Sequence, residues 1–419
     1  MPTIYVKKTG SDSNSGSTQE SPKLTIAAAV AAATNDRDIV EIIDEGTYAE
    51  SQIVVAADGI TLTHTGSGRP IIDASGLGST EIISLAPNSS TNRRDFVLNG
   101  IEIKGSGNSS QELFKHNNNS TNANGLTVTD CFVYQVHALS NQFIQAGSGE
   151  NINIKQSSFM FTNSNIDAIK FAGSGQFLIE NCFLSRSSTG VGGESIGPIL
   201  RSLNSGLNAT ASFSTFMFNS VTKNINIIKS FPKVINCVVS STIGSNVSGI
   251  DAADHTFNVV NCGGGDFGFA FKNGSDASAS AGTGETEATV TFIDGTSVGN
   301  TEAVVGNFAL AEGSVGIDQG VTFNSVNVDI IGTTRPQGSA FDMGAFERPI
   351  PYWQDADNGE DFSRKFGGSF TIHSTANTLF TRAFPNEEAN RQAPYYVTIP
   401  GPANLRGRTP GGKPYKAET

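Results

Sequence analysis

Two short stretches gather side chains that could do chemistry. Asn165-Ile166-Asp167-Ala168-Ile169-Lys170 sets a carboxylate three residues from an amine, and Asp251-Ala252-Ala253-Asp254-His255 sets two carboxylates beside an imidazole. Paired carboxylates, one of them held protonated, supply the acid and base halves of a hydrolysis. A Lys or Arg beside a calcium held by several carboxylates can instead remove a proton from a carbon next to an acid group. Asp167, Lys170, Asp251, Asp254 and His255 are therefore the catalytic candidates, with Arg201 an alternative base to Lys170. The plainer reading makes them solvated turn residues. No clustered calcium ligands, P-loop, nucleophile elbow, zinc motif or dinucleotide phrase occurs, so neither a metal nor a cofactor is expected.

What must position these residues is a phrase that recurs from Asp95 to Cys262. Apolar residues at alternate positions lead into Asn, Asp or a substitute, often followed by Cys. It reads Phe96-Val97-Leu98-Asn99, Leu126-Thr127-Val128-Thr129-Asp130-Cys131, Ile152-Asn153-Ile154-Lys155-Gln156, Phe177-Leu178-Ile179-Glu180-Asn181-Cys182, Ala211-Ser212-Phe213, Val234-Ile235-Asn236-Cys237 and Phe257-Asn258-Val259-Val260-Asn261-Cys262. The repeat averages about 27 residues, with period-2 apolar spacing inside each unit, which marks a stacked β architecture. One unit cannot bury its own apolar face, so units must stack. The pattern predicts a parallel β-helix with one rung per repeat and rungs roughly 4.8 Å apart. A short amide tolerates a left-handed bend and satisfies backbone groups there, so Asn99, Asp130, Asn181, Asn236 and Asn261 are expected to form a structural ladder. On this spacing Asp251, Asp254 and His255 lie about three rungs from Asp167, on the order of 14 Å. A β-sandwich also gives many short strands, but it does not repeat one phrase at one slot.

The totals are consistent with this. Charged residues make up only 16% of the 419, and Gly numbers 46, which suits closely stacked strands and solvated turns. A net charge of −12 argues against nucleic acid as a partner. No apolar run is long enough to cross a bilayer, and the N-terminus carries no basic-plus-apolar leader. The four Cys (131, 182, 237 and 262) all follow the polar slot, so they read as small fillers of one column instead of a disulfide framework or metal site.

Residues 1–35 are expected to hold a first strand at Tyr5-Val6 and a capping helix from Pro22 to Ala33, opened by Ser21-Pro22. Tyr5-Val6 with Gly10-Ser11-Asp12, Ser21-Pro22, the Ala-rich helix, Glu45-Gly46-Thr47-Tyr48 and Arg69-Pro70-Ile71-Ile72-Asp73-Ala74-Ser75-Gly76 follow one another in an order that resembles the opening of right-handed parallel β-helix proteins of the pectate-lyase-like class. The resemblance implies an all-β, single-stranded, right-handed parallel β-helix over residues 36–348. Proteins of this class include lyases, hydrolases, adhesins and phage tailspikes, and its enzymes act on polysaccharides laid along the outer face of a sheet. Asn165-Ile166-Asp167 resembles a phrase of polygalacturonase-like hydrolases, but the paired Asp and the Gly-His-Gly phrase that should follow are absent. Ala288 to Ile293 reads as a late rung. Arg335-Pro336-Gln337-Gly338 and Asp342-Met343-Gly344-Ala345-Phe346-Glu347 resemble the closing phrase of bacterial surface β-helices, which implies a terminal seal pairing Arg335 with Asp342 and Glu347.

Residues 349–419 differ in composition. An aromatic-bearing segment gives way, from Pro385, to a tail with six prolines and with Arg391, Arg406, Arg408, Lys413 and Lys416 against three Glu. Prolines at that density forbid a helix and favour an extended arm. A basic arm on an acidic body suggests docking onto a neighbouring subunit or another virion protein. With no secretion leader and no complete catalytic set, the features favour a non-enzymatic structural or adhesive protein of a phage particle, a head decoration or tail appendage. Such a protein would be a homotrimer by resemblance, would touch cell-surface glycan, and would neither insert in a membrane nor bind nucleic acid. The alternatives are a polysaccharide-degrading β-helix, including an enzymatic tailspike, and a bacterial surface adhesin.

Overall fold

The structure is a computed structural model. It describes residues 2–348 except 67, 87–92, 109, 116–124, 141–143, 147–150, 163–165, 188–196, 203–207, 220–224, 242–246, 262–270, 273–279, 294–307 and 325; beyond Arg348 it describes the backbone of 371–373 and 404–406. The chain divides into two units, Met1–Arg348 and Pro349–Thr419.

In the first unit the strands wind into a right-handed parallel β-helix with three faces. The first face runs from Thr3–Val6 and Ile39–Ile42 through Phe96–Asn99, Leu126–Thr129, Asn151–Lys155, Gln176–Glu180 and Asn208–Ser212 to the C-terminal parts of the long strands Ile225–Ile235 and Val247–Thr256. The second face stacks ten strands, from Thr47–Ala49 to Thr286–Glu287. The third face includes Ile169–Gly173 and Leu200–Ser202, followed by the N-terminal parts of Ile225–Ile235 and Val247–Thr256 and by Phe271–Lys272. All of these pairings are parallel.

Period-2 alternation sends every second side chain inward. Register lines up Val40, Leu62, Leu98, Val128, Ile154, Ile179, Ala211 and Val234 inside the first face. It lines up Ile72, Ile103, Val133, Phe159, Leu184, Phe216, Val239 and Val260 inside the second. Every one of these is fully buried, and a large aliphatic side chain in such a place contributes about 1.5–3 kcal/mol.

The bend between the first and second faces is one residue in the left-handed conformation on each rung: Gly100, Asp130, Gln156, Asn181, Phe213, Asn236 and Phe257, with φ between 45° and 70°. Asp130, Asn181 and Asn236 therefore stand in one column. Asn99 and Asn261 do not. Gly100 takes the bend at its rung, which leaves Asn99 as the last strand residue, donating from Nδ2 to Thr63 Oγ1 at 3.0 Å. Asn261 pairs with Ser240 on the second face, past the bend at Phe257. Cys262 lies outside the described residues.

The position after the bend holds Cys131, Ser157, Cys182, Ser214, Cys237 and Asn258, all buried. Cys131 N donates to Ser157 Oγ (3.1 Å), Cys182 N to Ser214 Oγ (3.2 Å) and Cys237 N to Asn258 Oδ1 (2.9 Å). Sulfur and oxygen alternate up the column, and each side chain serves the backbone of the rung before it. The three thiols are unpaired, and burial pushes each up to about 12.

The helix spans Ile26–Ala32, shorter than the expected Pro22–Ala33. Its start is displaced because Lys23 is held in a bridge beside Val6, with Lys23 N donating to Tyr5 O and Lys7 N to Lys23 O. Thr25 caps it, and the Glu50 carboxylate accepts from Ile26 N and Ala27 N at the positive end of the helix. Ile26, Ala29 and Val30 pack against the strands Thr3–Val6, Ile39–Ile42 and Ile53–Val54.

Among the described residues, the segment after the last rung does not lie over the end of the coil. It lies as a strap along the outside of the second face. The outward side chains there are apolar (Phe132, Tyr134, Met160, Phe183 and Met217) and are covered by Phe308, Ala309, Ile330, Ala345 and Phe346. Bend residues pin the strap. Asn236 forms a matched pair with Val321 (Nδ2 to O, 2.7 Å; N to Oδ1, 3.0 Å), and Asn181 Nδ2 donates to Val328 O at 2.6 Å. The expected stacking of Asn on Asn gives way to this use, because the left-handed bend presents its side chain to the strap. Arg335 is buried, with Nη1 3.3 Å from Glu347 Oε2 and donations to the Asp342 and Gly344 carbonyls. Arg335 thus pairs with Glu347, while Asp342 contributes its backbone. Ala288–Ile293 is not a late rung. That rung is Thr286–Glu287, and Phe292 bridges antiparallel to Leu310 in the strap region.

In the second unit, Thr371–His373 pairs antiparallel with Asn404–Arg406, so the tail is paired at Arg406. Arg391, Arg408, Lys413 and Lys416 lie outside the described residues.

Candidate functional site

On the third face, register places Lys170 beside Arg201, Arg201 beside Lys229, and Asp251 beside Lys272, with a register shift between Ile228 and Phe231; Asp251 and Lys272 are buried. The inward partners on these rungs, Ile169, Leu200, Ile228 and Ile250, are fully buried and fix the strands. Neighbouring rungs are about 4.8 Å apart. Three cations on consecutive rungs of an acidic protein repel one another, as like charges directly opposite in a sheet do.

Asp167 precedes the Ile169–Gly173 strand and bonds the next rung, with Oδ2 3.3 Å from Arg201 Nη1. Behind it lies Arg186, at the end of its second-face strand and fully buried. Arg186 Nη1 donates to the Gly197 and Pro198 carbonyls at 2.7 and 3.3 Å, while Nε and Nη2 find no partner among the described residues. Burial pushes this guanidinium down to about 10, against the opposing pull of Asp167, so it is still charged at neutral pH. His137 Nδ1–H donates to the Gln111 carbonyl at 2.9 Å, and burial, reinforced by Arg186 and Lys170, lowers its pKa to about 4. It is neutral at pH 7.

The structure brings Asp167, Lys170 and Arg201 together and places Asp251 further along the same face. It separates Asp251 from its sequence neighbours. Asp254 and His255 belong to the first face, where register sets them beside Lys233 and Val234. Each has a structural partner. Asp251 Oδ2 accepts from Ser230 N at 3.1 Å, at a left-handed bend in the long strand. Asp254 is 3.0 Å from Lys233 Nζ. His255 Nδ1 is 2.7 Å from Glu285 Oε2, and Glu285 also accepts from Asn258 Nδ2 and Gly282 N. Among the described residues no group of three or more His, Cys, Asp or Glu is placed to hold a metal ion. Asn165 lies outside the described residues.

Lys229, Arg186 and Lys272 were not singled out in the sequence. A signal for two of them exists: the dipeptides Ile169-Lys170, Leu200-Arg201, Ile228-Lys229 and Phe271-Lys272 repeat one apolar-then-basic step on the third face. Arg186 carries no such mark, because its partners are carbonyls.

No protein-family model matches this sequence, and no curated protein matches it. Among solved structures the chain is similar to pectate lyase Pel9A, at 14% identity over 83% of this chain and 96% of that one, with a TM-score of 0.38. It is also similar to the GH136 lacto-N-biosidase from Eubacterium ramulus, at 11% identity over 62% of this chain and 51% of that one, with a TM-score of 0.28. Neither likeness bears on activity. The strand pairing itself makes the chain a right-handed parallel β-helix protein.

Proposed function

We propose that this chain is a non-enzymatic structural and adhesive protein of a virion surface, a head decoration or tail appendage, whose third face binds an anionic cell-surface glycan. The observation that carries the reading is the commitment of the candidate acid–base groups: Asp167 to Arg201, Asp251 to Ser230, Asp254 to Lys233 and His255 to Glu285. A carboxylate held in this way serves structure. The Lys170–Arg201–Lys229 column supports the choice of ligand, since three basic side chains at one register position on successive rungs suit a polyanion. Assembly into a homotrimer through residues 385–419 belongs to the same reading.

The test is to incubate the protein with bacterial capsule, lipopolysaccharide and pectic glycans, then follow binding, new reducing ends and unsaturated-uronate absorbance. Salt-sensitive binding without turnover is expected, and turnover would overturn the reading. Recovery from purified phage particles tests the location, and deletion of 385–419 tests the arm, with loss of assembly but an intact coil expected. A second reading, a polysaccharide lyase, draws on one observation: Lys170 and Arg201 stand on adjacent rungs beside Asp167. The same absorbance assay decides between the two.

A further inference from the structure

The Glu180 carboxylate ties the coil to the strap. Lys155 and Glu180 stand directly opposite one another on neighbouring rungs of the first face, each the last strand residue before its bend. Lys155 Nζ is 3.1 Å from Glu180 Oε1. The other oxygen, Oε2, accepts from Asn324 Nδ2 of the strap at 3.0 Å. One buried carboxylate therefore holds an amine nitrogen on one oxygen and a carboxamide nitrogen on the other. An ion pair needs no amide, and a pin on the strap needs no amine. The three groups together are the set that amide exchange requires: a nucleophile, an acyl carbon with its leaving nitrogen, and a proton carrier that reaches both nitrogens.

Both sides of the set are held in place. On the coil, the inward neighbours Ile154 and Ile179 are fully buried and fix the strand ends. On the strap, Asn236 holds Val321 and Asn181 holds Val328, so Asn324 lies on a stretch pinned before and after it. Its neighbour Phe323 sits under Lys233, with Nζ 5.6 Å from the ring centroid. Asn324 itself takes the left-handed conformation, φ 53°, at the turn between the pins. Well-oriented groups fixed in this way react as if at effective concentrations of about 10⁵–10⁸ M, which brings amide exchange within reach without an external catalyst.

We infer that Lys155 and Asn324 join in an intramolecular isopeptide bond, with Glu180 carrying the protons. Glu180 Oε1 takes a proton from the Lys155 ammonium, and the freed electron pair on Nζ attacks Asn324 Cγ, pushing the carbonyl π electrons onto Oδ1. Glu180 passes that proton to Nδ2 as the carbonyl re-forms and the Cγ–Nδ2 bond breaks. It then takes the remaining excess proton from Nζ and yields it to the departing ammonia. An ammonium and a primary amide become a secondary amide and an ammonium ion, so no oxidant or co-reactant is needed. Lys155 keeps 38% of its side chain exposed and Asn324 is exposed, so the ammonia escapes to solvent. The bond locks the strap onto the coil. The inference is independent of the proposed function, since it shares no residue with the third face.

The test is intact mass and tryptic mapping of the full chain, fresh and after a week at mildly alkaline pH. A growing share of chains lighter by one ammonia is expected, together with a branched tryptic peptide that joins Lys155 to Asn324 and escapes cleavage after Lys155. Lys155→Arg keeps the ion pair and the fold, which circular dichroism checks, and should never form the branch. Glu180→Gln should slow its formation by about a hundredfold or more. The inference is overturned if the parent chain keeps its full mass throughout. It is also overturned if ammonia is lost without a branched peptide, as happens when an Asn cyclises onto its own backbone. A branch that forms in Glu180→Gln at the parent rate overturns the role given to the carboxylate.

Discussion

The second and third faces share one construction on the inside and opposite chemistry on the outside. Inward, both carry unbroken columns of fully buried aliphatic and aromatic side chains. Outward, the second face carries Phe132, Tyr134, Met160, Phe183 and Met217 under the strap, while the third carries Lys170, Arg201 and Lys229. Coiling needs only the inward set. The outward set tells what each face meets: another part of the chain in one case, solvent or a ligand in the other.

The sharpest way to break this contrast is to damage the covered face. Phe346 lies against Phe183, with ring centroids 6.2 Å apart, and both are buried. Phe346→Ala should cost about 3–5 kcal/mol in denaturant unfolding, with the loss concentrated in the strap by hydrogen exchange. Arg335→Ala should be of similar size, about 3–5 kcal/mol, because it strands the Glu347 carboxylate inside. If either variant unfolds like the parent, the strap is not part of the folded core.

Next in size is the pin at the bend. Asn236→Ala loses both bonds to Val321 and the short polar side chain that makes φ 54° tolerable, for about 1–3 kcal/mol. Asn236→Gly keeps the bend relaxed and should lose less. Equal losses would mean that the bonds to the strap contribute little.

On the open face the effect on stability should be small or reversed. Lys229→Glu removes like-charge stacking and should change stability by less than about 1 kcal/mol, in the stabilising direction, while abolishing retention on an anionic glycan column. A large destabilisation would make the basic column structural.

The smallest effects are those of pH. Burial, with Asp342 adding to it, raises Glu347 to about 7, and the hydrogen bond His255 donates to Glu285 raises His255. A group whose folded pKa is raised lends stability that is complete below its unfolded pKa and is lost as pH rises through the folded one. For Glu347 that window runs from about 4.5 to about 7, and for His255 it opens upward from about 6.5. The strap and the distal rung should therefore exchange amide hydrogens through more frequent opening at pH 8 than at pH 5, after correction for intrinsic rates. The difference should vanish at the distal rung in His255→Gln.

The inward pattern was readable because alternation is local: Leu126, Val128 and the matching pairs on other rungs need only strand geometry to be placed. The bend column was read correctly at Asp130, Asn181 and Asn236, and misread at Asn99, where glycine is the better left-handed residue, and at Asn261, where Phe257 takes the bend. The strap escaped notice because its contacts join residues as far apart as Asn181 and Val328, and no periodicity links them. The third-face column was half visible. Asp167, Lys170 and Arg201 were each noticed, but loops of unequal length hid the register that adds Lys229. The grouping of Asp251 with Asp254 and His255 failed because a bend at Ser230 and its neighbour strand sends consecutive residues to different faces.

The alternating sulfur and oxygen column after the bend has a practical consequence. Cys131, Cys182 and Cys237 sit at graded heights along the axis, sealed from solvent and with thiols raised to about 12, so alkylating reagents and mild oxidants leave these three untouched while the coil is intact. Each becomes reactive only when its own turn comes apart. These three buried thiols are thus silent reporters of where the coil unzips first, and the order in which they take up a label would record the direction in which it fails.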